Sequence, residues 1–281
     1  MSDNKLGTMF HETFSLSRES LRQVLSVVIE NKSVNFSSQE KRFDVLRQNT
    51  NLGTNYVKAM PKYAKGAGLL DESFEVSLFG TMAYKKDSVM SLAGTLWLIH
   101  YHLTVLEGLG PLFWNELVTN NFRSGNEFGK DSIEKQIKDF YERTEGESLA
   151  NRSASSTATI FLGTYTKLDG LGGLNLLLQT QQNKYRVNDD LDSPPTWAVA
   201  YAIIDFWMKN FPDRQTINLD ELTEGNSVAN IFMIGAGKVA NVLQKMQSEG
   251  FVDLYRVAPP YQVVLLRPDL KAILEKLYEN E

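Results

Sequence analysis

Apolar residues recur at helical spacing along most of the chain, and short alternating stretches separate the helical segments. LRQVLSVVIEN predicts an amphipathic helix, and TWAVAYAIIDFWMKNFP predicts a strongly apolar helix that ends at Pro212. QTINLDEL predicts a small strand, and FVDLYRVAPPYQVVLLR predicts two strands joined at Ala258–Pro259–Pro260. The pattern therefore predicts a mainly α fold with small β-hairpins, class α+β.

The segment SVANIFMIGAGKVANVLQKMQSEG predicts two short helices joined by a tight turn. Ser227 is placed to cap the first helix, Gly235 and Gly237 allow the turn, and Gly250 ends the second helix. Helix, turn, helix and then a β-hairpin is the element order of a winged helix, which we predict over residues 196–281. Val239, Val242, Leu243 and Met246 fall on one face of the second helix, and the candidate DNA contacts on another face are Lys238, Asn241 and Lys245.

A similar order occurs near the N-terminus, in KRFDVLRQNTNLGTNYVKAMPKYAKGAGLL. It predicts a helix, a turn at Leu52–Gly53 and a second helix, in which Pro61 should cause a kink or a break. LLDESFEVSLFGTMA is the candidate wing, so a winged-helix-like module is predicted over residues 1–86. The spacing i, i+4, i+7 predicts that three lysines line one face of the second helix, and the candidate DNA contacts here are Lys58, Lys62, Lys65 and Asn55.

Two further regions complete the predicted organisation. Residues 87–182 are helical and aromatic and include Trp97 and Trp114. Residues 183–195 are polar and end in Pro194–Pro195, which predicts a linker before the next helix. We therefore expect two winged-helix-like modules on either side of a helical middle region.

Charge and composition limit the classes of function that the chain can have. The 281 residues carry a net charge of −5, yet residues 15–86 hold eleven Lys/Arg against seven Asp/Glu. A local basic excess is what phosphate contact requires, whatever the total charge. The absence of cysteine excludes disulfides, thiolate metal sites, iron–sulfur clusters and covalent sulfur transfer. With no signal-peptide or membrane-span pattern, a cytoplasmic location is expected.

Candidate catalytic chemistry is sparse. No phosphate-binding loop is present, and the glycines of GLGGLNLLL lack dinucleotide-binding spacing. His11–Glu12 and His100 are the polar candidates, but His100 and His102 stand at i, i+2 on a helix and cannot chelate one ion. We expect no cofactor, no metal site and no enzymatic activity, with the histidines hydrogen-bonded in a buried network at a domain junction.

Four ordered motifs carry a family resemblance. FHETFSL matches the family pattern at Phe10, His11, Glu12, Thr13, Phe14 and Leu16, although Ser17 replaces an arginine. LGTNYV matches at Leu52, Gly53, Asn55 and Val57, although Thr54 replaces a lysine. TLWLIHYHL matches at Leu96, Trp97, Leu98, His100 and Tyr101, and PLFWNEL matches loosely at Phe113, Trp114 and Asn115.

These motifs resemble a bacterial domain-of-unknown-function family. That family is encoded beside phosphoadenylyl-sulfate-reductase-like and cysteine-desulfurase genes in DNA phosphorothioation and phage-defence clusters. The resemblance implies association with such a system, with its sulfur-transfer or defence proteins as partners. It implies no activity, and the lost arginine and lysine put inherited anion contacts at Ser17 and Thr54 in doubt.

The function that we expect is non-catalytic binding of double-stranded DNA in a DNA-modification or anti-phage system. Three alternatives stay open at this point. The protein could be an adaptor for a partner enzyme of the same system, a winged-helix transcriptional regulator, or a metal-dependent nuclease acting through His11 and Glu12.

Overall fold

The structure is a computed structural model that describes residues 5–255 and 260–280. Its N-terminal part is a group of four helices whose first helix packs on the third. Leu21, Val24, Leu25 and Val28 are buried at the spacing of one helical face. Serine side chains cap the first, second and fourth helices. The helices are α1 (Arg18–Glu30), α2 (Gln39–Asn49), α3 (Thr54–Gly66) and α4 (Leu78–Lys86).

The predicted helix, turn and helix of this region are confirmed as α2 and α3; of the predicted kink or break at Pro61, the break does not occur. α3 runs without interruption from Thr54 to Gly66 and contains Pro61 on its buried side. A proline inside a helix costs about 3 kcal/mol through its missing N–H and its ring. Packing of the buried face of α3 on α1 outweighs that cost.

The stretch after α3 does not form the predicted N-terminal β-hairpin wing. Its β structure is a single antiparallel bridge between Leu70 and Val76, which closes a tight turn. Ser77 then caps α4, so the second half of the candidate wing is helical. Asp71 stabilises the turn by accepting hydrogen bonds from the backbone N–H groups of Ser73 and Glu75.

Residues 87–182 contain four α-helices, the first of which is deeply buried. Every residue from Gly94 to Thr104 is buried, as expected for a helix that is apolar on all sides. This helix packs against the next one and against the first helix of the C-terminal region. The helices are α5 (Ala93–Thr104), α6 (Leu112–Asn121), α7 (Lys130–Glu145) and α8 (Asn151–Thr166).

A three-stranded antiparallel sheet follows, and it corrects the linker prediction. The strands are β1 (Glu127–Gly129), β2 (Leu177–Gln181) and β3 (Lys184–Val187), in the order β1-β3-β2. The segment 183–195, predicted as a linker, thus contains the central strand β3. Tyr185 and Val187 point inward in alternation with polar neighbours, and Asn183, at φ +58°, makes the turn from β2.

The C-terminal region contains the predicted helices and strands. Its elements are α9 (Thr196–Asn210), β4 (Thr216–Asn218), α10 (Asp220–Thr223), α11 (Val228–Ile231), α12 (Ala236–Ser248), β5 (Val252–Tyr255), β6 (Gln262–Leu265) and α13 (Leu270–Glu279). Ser227 caps α11 and Gly235 precedes α12, as expected, whereas Gly237 lies inside α12. Residues 258 and 259 of the predicted turn between the last two strands lie outside the described residues.

The three C-terminal strands pair antiparallel in the order β4-β6-β5. The fold is therefore mainly helical with two small antiparallel sheets, and the predicted α+β class is confirmed. Its buried apolar side chains form one contiguous cluster that includes Leu21, Trp114 and Val239, one from each predicted region. Within residues 5–255 and 260–280, no helix combines the length and apolar character needed to cross a membrane.

Candidate nucleic-acid interface

Two helices, α3 and α12, begin in the same way. Each follows a short apolar–Gly turn, Leu52–Gly53 before α3 and Ile234–Gly235 before α12. The two glycines are extended (φ −66°, ψ 159° and φ −79°, ψ 164°), and neither helix has a side-chain cap. The backbone N–H groups of the first turn are therefore not satisfied by a capping side chain and face outward.

The two helices also share four buried positions. Counted from the turn glycine, the fourth, seventh, eighth and eleventh residues are buried in both helices. On α12 these four positions form one buried face and leave the opposite face free, whereas α3 also buries Ala59, Tyr63, Lys65 and Gly66, so that its free surface lies in its N-terminal half. The shared positions are Val57, Met60, Pro61 and Ala64 in α3, and Val239, Val242, Leu243 and Met246 in α12.

The predicted contacts on α3 do not form one exposed stripe. Asn55 and Lys58 are exposed, and Lys62 is half-buried and pairs with Glu12 at 3.1 Å. Lys65 is only 7% exposed, and its ammonium lies 5.1 Å from the centroid of the Phe74 ring. The prediction that Lys65 shares a solvent-facing stripe with Lys58 is wrong, because the turn after α3 covers its last helical turn.

The predicted contacts on α12 line a groove. Lys238 is half-buried, and Asn241 and Lys245 are exposed. All three line an open cavity of about 470 Å³ whose other side is formed by the start of α9 and the end of α13. Lys245 pairs with Glu249 at 3.1 Å, and Glu249 also accepts a hydrogen bond from Lys276 at 2.8 Å, which lowers its pKa.

The structure adds basic groups that the sequence pattern did not single out. Lys41 and Arg47 are exposed on α2, the helix that precedes α3. Arg42 is less available for contact with a ligand, because its guanidinium lies against the Phe74 ring, 3.6 Å from the ring centroid. Both residues could have been proposed from the sequence, because they lie among the polar residues of a predicted helix that has few apolar positions.

The His11–Glu12 segment is a buried and strained turn. His11 is fully buried; its Nδ1 accepts the Thr13 N–H at 3.1 Å, so its Nε2 donates to Thr157 Oγ1 at 3.0 Å. Burial lowers the pKa of His11 to about 4. This histidine is neutral and engaged on both nitrogens, which fits a structural role in holding the N-terminal segment on α8.

Glu12 and Thr13 both lie in the left-handed region, at φ +47° and φ +72°. Thr13 is β-branched and exposed, so its side chain gains little packing to offset this backbone conformation. We expect Thr13→Gly to raise the free energy of unfolding by about 1 kcal/mol, since glycine adopts this region without a steric cost. Urea denaturation measures the effect. Thr13→Ala is the control, because it removes the side chain but keeps Cβ, and an equal gain in that variant would contradict the strain argument.

His100 joins the helical middle region to the C-terminal region. Its Nε2 donates to the Ile231 carbonyl at 2.9 Å, so its Nδ1 accepts from the Tyr165 hydroxyl at 2.9 Å. The same hydroxyl accepts the Trp114 Nε1–H at 2.8 Å. Burial lowers the pKa of His100 to about 4. The buried histidine network that the sequence predicted is confirmed for this residue.

His102, two residues along α5, faces a different environment. Its ring stacks on Phe79, with centroids 5.6 Å apart and an interplanar angle of 22°. The two histidines therefore point in different directions, as their spacing predicts. In the part of the chain that the structure describes, no group of three or more His, Cys, Asp or Glu side chains is arranged to hold a metal ion.

Comparisons with known proteins agree with this architecture. Two solved structures are similar over 97% of this chain and 88% of their own: "SspB crystal structure" (TM-score 0.74) and "Magnesium ion-bound SspB crystal structure" (TM-score 0.76). Both are 18% identical to this chain, a level at which the likeness shows a shared fold. No curated protein matches the chain. Residues 9–278 match the family described as "Protein of unknown function (DUF4007)". The chain therefore belongs to the DUF4007 family.

Proposed function

We propose that this protein binds double-stranded DNA through α3 and α12 and that it does so without catalysing a reaction. The observation that carries the proposal is that two helices, each the second of a helix-turn-helix arrangement, have four buried positions in common and the same uncapped, outward-facing start. In such units the second helix enters the major groove with its N-terminal residues against the bases. Exposed backbone N–H groups at a helix start also suit DNA phosphates.

The elements around α12 support a winged-helix module. The elements of this region follow one another in the winged-helix order, which here is α9, β4, α10 with α11, α12 and then the β5–β6 hairpin. The hairpin lies beside α12 in sequence, where a wing would contact the DNA backbone. The N-terminal unit lacks a hairpin, and we interpret it as a helix-turn-helix with a short turn in place of the wing.

Charge supports α3 as the stronger of the two DNA contacts. Lys58 is exposed on α3, and on α2 the exposed Lys41 and Arg47 are balanced by the exposed Glu40 and Asp44. On α12, Lys245 is already paired with Glu249, so part of its charge is neutralised before any DNA arrives. We therefore expect the N-terminal unit to supply most of the salt-dependent affinity and α12 to contribute mainly shape and polar contacts.

The biological setting is proposed from the motif resemblance described above. It points to a DNA-modification system of the phosphorothioation type or to anti-phage defence. The absence of cysteine rules out sulfur transfer by this chain, since that chemistry needs a thiolate or a cluster. We propose that its role in such a system is recognition of DNA, together with the sulfur-transfer or defence proteins of the same cluster.

Fluorescence anisotropy on labelled duplexes, with and without a phosphorothioate linkage and over a salt series, tests the proposal. We expect the Asn55→Ala/Lys58→Ala variant to weaken binding about tenfold and to reduce the salt slope by about 1, since one phosphate contact is lost. Lys135→Ala is the matched control, because Lys135 is an exposed lysine on α7, outside both helix-turn-helix units. A second variant, Asn241→Ala/Lys245→Ala, tests α12.

The outcomes separate the competing functions. A preference for one duplex would identify the modification as part of what is recognised. If the wild-type protein binds neither duplex at micromolar concentration, the DNA proposal fails. Stable co-purification with an enzyme of the same system would then identify the protein as an adaptor.

A further inference from the structure

A strained turn places one carboxylate beside the surface of α3. Glu12 and Thr13 lie at φ +47° and φ +72°, and Glu12 Oε1 pairs with Lys62 Nζ at 3.1 Å. Residues other than glycine are uncommon in this backbone region and keep it only where surrounding contacts fix them. The position of the Glu12 carboxylate is therefore set by the fold of the turn as well as by its own side chain.

The turn is fixed from two sides by hydrogen bonds. On one side, Nε2 of the buried His11 donates to Thr157 Oγ1 of α8 at 3.0 Å. On the other side, the Phe14 carbonyl accepts from the hydroxyl of the buried Tyr63 of α3 at 2.9 Å. A surface ion pair is usually weak because two mobile side chains must be held together. Here the backbone that carries the carboxylate is already held against the helix that carries the lysine.

Lys62 lies on the same side of α3 as the two exposed candidate DNA contacts. Asn55, Lys58 and Lys62 follow one another at i, i+3 and i+7. Asn55 and Lys58 are exposed, whereas the Lys62 side chain is 32% exposed and is paired with Glu12. This row of side chains thus ends in an ammonium that solvent reaches but whose charge a carboxylate neutralises.

We propose that Glu12 limits the affinity of this protein for DNA by keeping Lys62 from the phosphates. The inference rests on the proposed binding of DNA by α3. Lys58 is one helical turn from Lys62, so a phosphate bound at Lys58 lies within the range of about 10 Å over which charges interact at ordinary salt. The Glu12 carboxylate repels that phosphate and competes with it for the Lys62 ammonium.

The expected consequence is weaker binding to every DNA sequence. Contacts to phosphates position a protein on the duplex but carry no sequence information, so a withheld contact lowers the affinity for all duplexes alike. Contacts to bases then account for a larger share of the affinity that remains. An opposing charge at the edge of an interface is one way in which a protein reduces binding to the wrong partners.

Fluorescence anisotropy over a salt series compares the wild type with Glu12→Gln, which keeps the shape of the side chain and removes its charge. We expect Glu12→Gln to bind about tenfold more tightly at low salt and to have a salt slope steeper by about 1, because Lys62 gains a phosphate. The gain should be the same on two duplexes of unrelated sequence. Adding Lys62→Met to Glu12→Gln should remove the increase in slope. A gain in affinity cannot result from a loss of folded protein.

Glu134→Gln is the matched control, because it removes the same charge from a similar ion pair outside both helix-turn-helix units. Glu134 pairs with Lys130 on α7 at 3.4 Å, and their side chains are 27% and 21% exposed. This variant should leave the salt slope unchanged.

The outcomes distinguish this inference from the proposed function. If the wild type binds DNA but Glu12→Gln leaves the slope unchanged, the role of Glu12 is overturned and DNA binding stands. An equal effect of Glu134→Gln would also overturn it, since the cause would then be net charge. If the wild type binds no duplex at micromolar concentration, both proposals fail.

Discussion

Acidification from pH 7 to pH 5 is expected to remove about 6 kcal/mol from the free energy of unfolding. The pKa values of His11, His100 and His102 are each lowered to about 4, mainly because burial disfavours the charged imidazole. In the unfolded chain a histidine titrates near 6.5, so between pH 6.5 and pH 4 the unfolded state binds more protons than the folded state. Stability is therefore fully present above pH 6.5 and is lost as the pH falls towards 4.

Each histidine contributes about 2 kcal/mol of this loss between pH 7 and pH 5. Because domains are stable by about 5–15 kcal/mol in total, we expect the protein to approach its unfolding midpoint near pH 5. Urea denaturation at pH 7, 6 and 5 measures this loss of unfolding free energy. The series stops at pH 5 because most carboxylates titrate at lower pH.

The matched variant for this experiment is His102→Phe, which keeps an aromatic ring against Phe79 and removes one titrating group whose Nε2 has no described partner. The loss between pH 7 and pH 5 should fall from about 6 to about 4 kcal/mol. An unchanged loss in this variant would show that His102 does not titrate as its burial implies.

Tyr165→Phe is expected to lower the free energy of unfolding by about 3 kcal/mol at pH 7. The change removes one oxygen atom from a fully buried ring and leaves no large cavity. It deprives two buried groups of their partner, the Trp114 Nε1–H and His100 Nδ1, and each unsatisfied group costs about 1–3 kcal/mol. Urea denaturation with an unchanged m value measures the effect.

Tyr63→Phe is a close control for that experiment. Tyr63 is also fully buried, and its hydroxyl donates to the Phe14 carbonyl at 2.9 Å. This variant should cost about 1 kcal/mol, because the Phe14 carbonyl loses its donor, while Thr164, which also contacts the Tyr63 hydroxyl, keeps its hydrogen bonds to Leu16 and Ile160. Equal losses in the two variants would contradict the view that the Tyr165 hydroxyl organises the Trp114–His100 network.

The sequence was sufficient for elements defined by local chemistry. The turn at Leu52–Gly53, the cap at Ser227 and the two C-terminal strands all follow from propensity and spacing within a few residues. The helix α13 was overlooked although Asp269 caps it and Ile273, Leu274 and Leu277 form its buried face. The strand β3 was taken for a linker because its neighbour β2 is exposed at four of its five residues, and its other partner β1, three residues long, lies more than fifty positions earlier.

The candidate site was harder to predict, because burial along a helix depends on what covers it. Lys58 and Lys65 lie on the same side of α3 by helical spacing, yet one is exposed and the other is enclosed beside Phe74. Residue spacing shows on which side of a helix a side chain lies. It does not show which turns along the helix are covered by a neighbouring segment.

The continuous core has a consequence for any attempt to divide the protein. The apolar helix α9 packs on α5, and His100 of α5 holds the carbonyl of Ile231 in α11. A fragment of residues 196–281 made alone would expose the face of α9 that α5 covers and would leave that carbonyl without its donor. If residues 1–195 and residues 196–281 are expressed together as separate chains, we expect them to bind each other and to co-purify as a complex. This result would be fragment complementation, in which each fragment folds stably only when it is bound to the other.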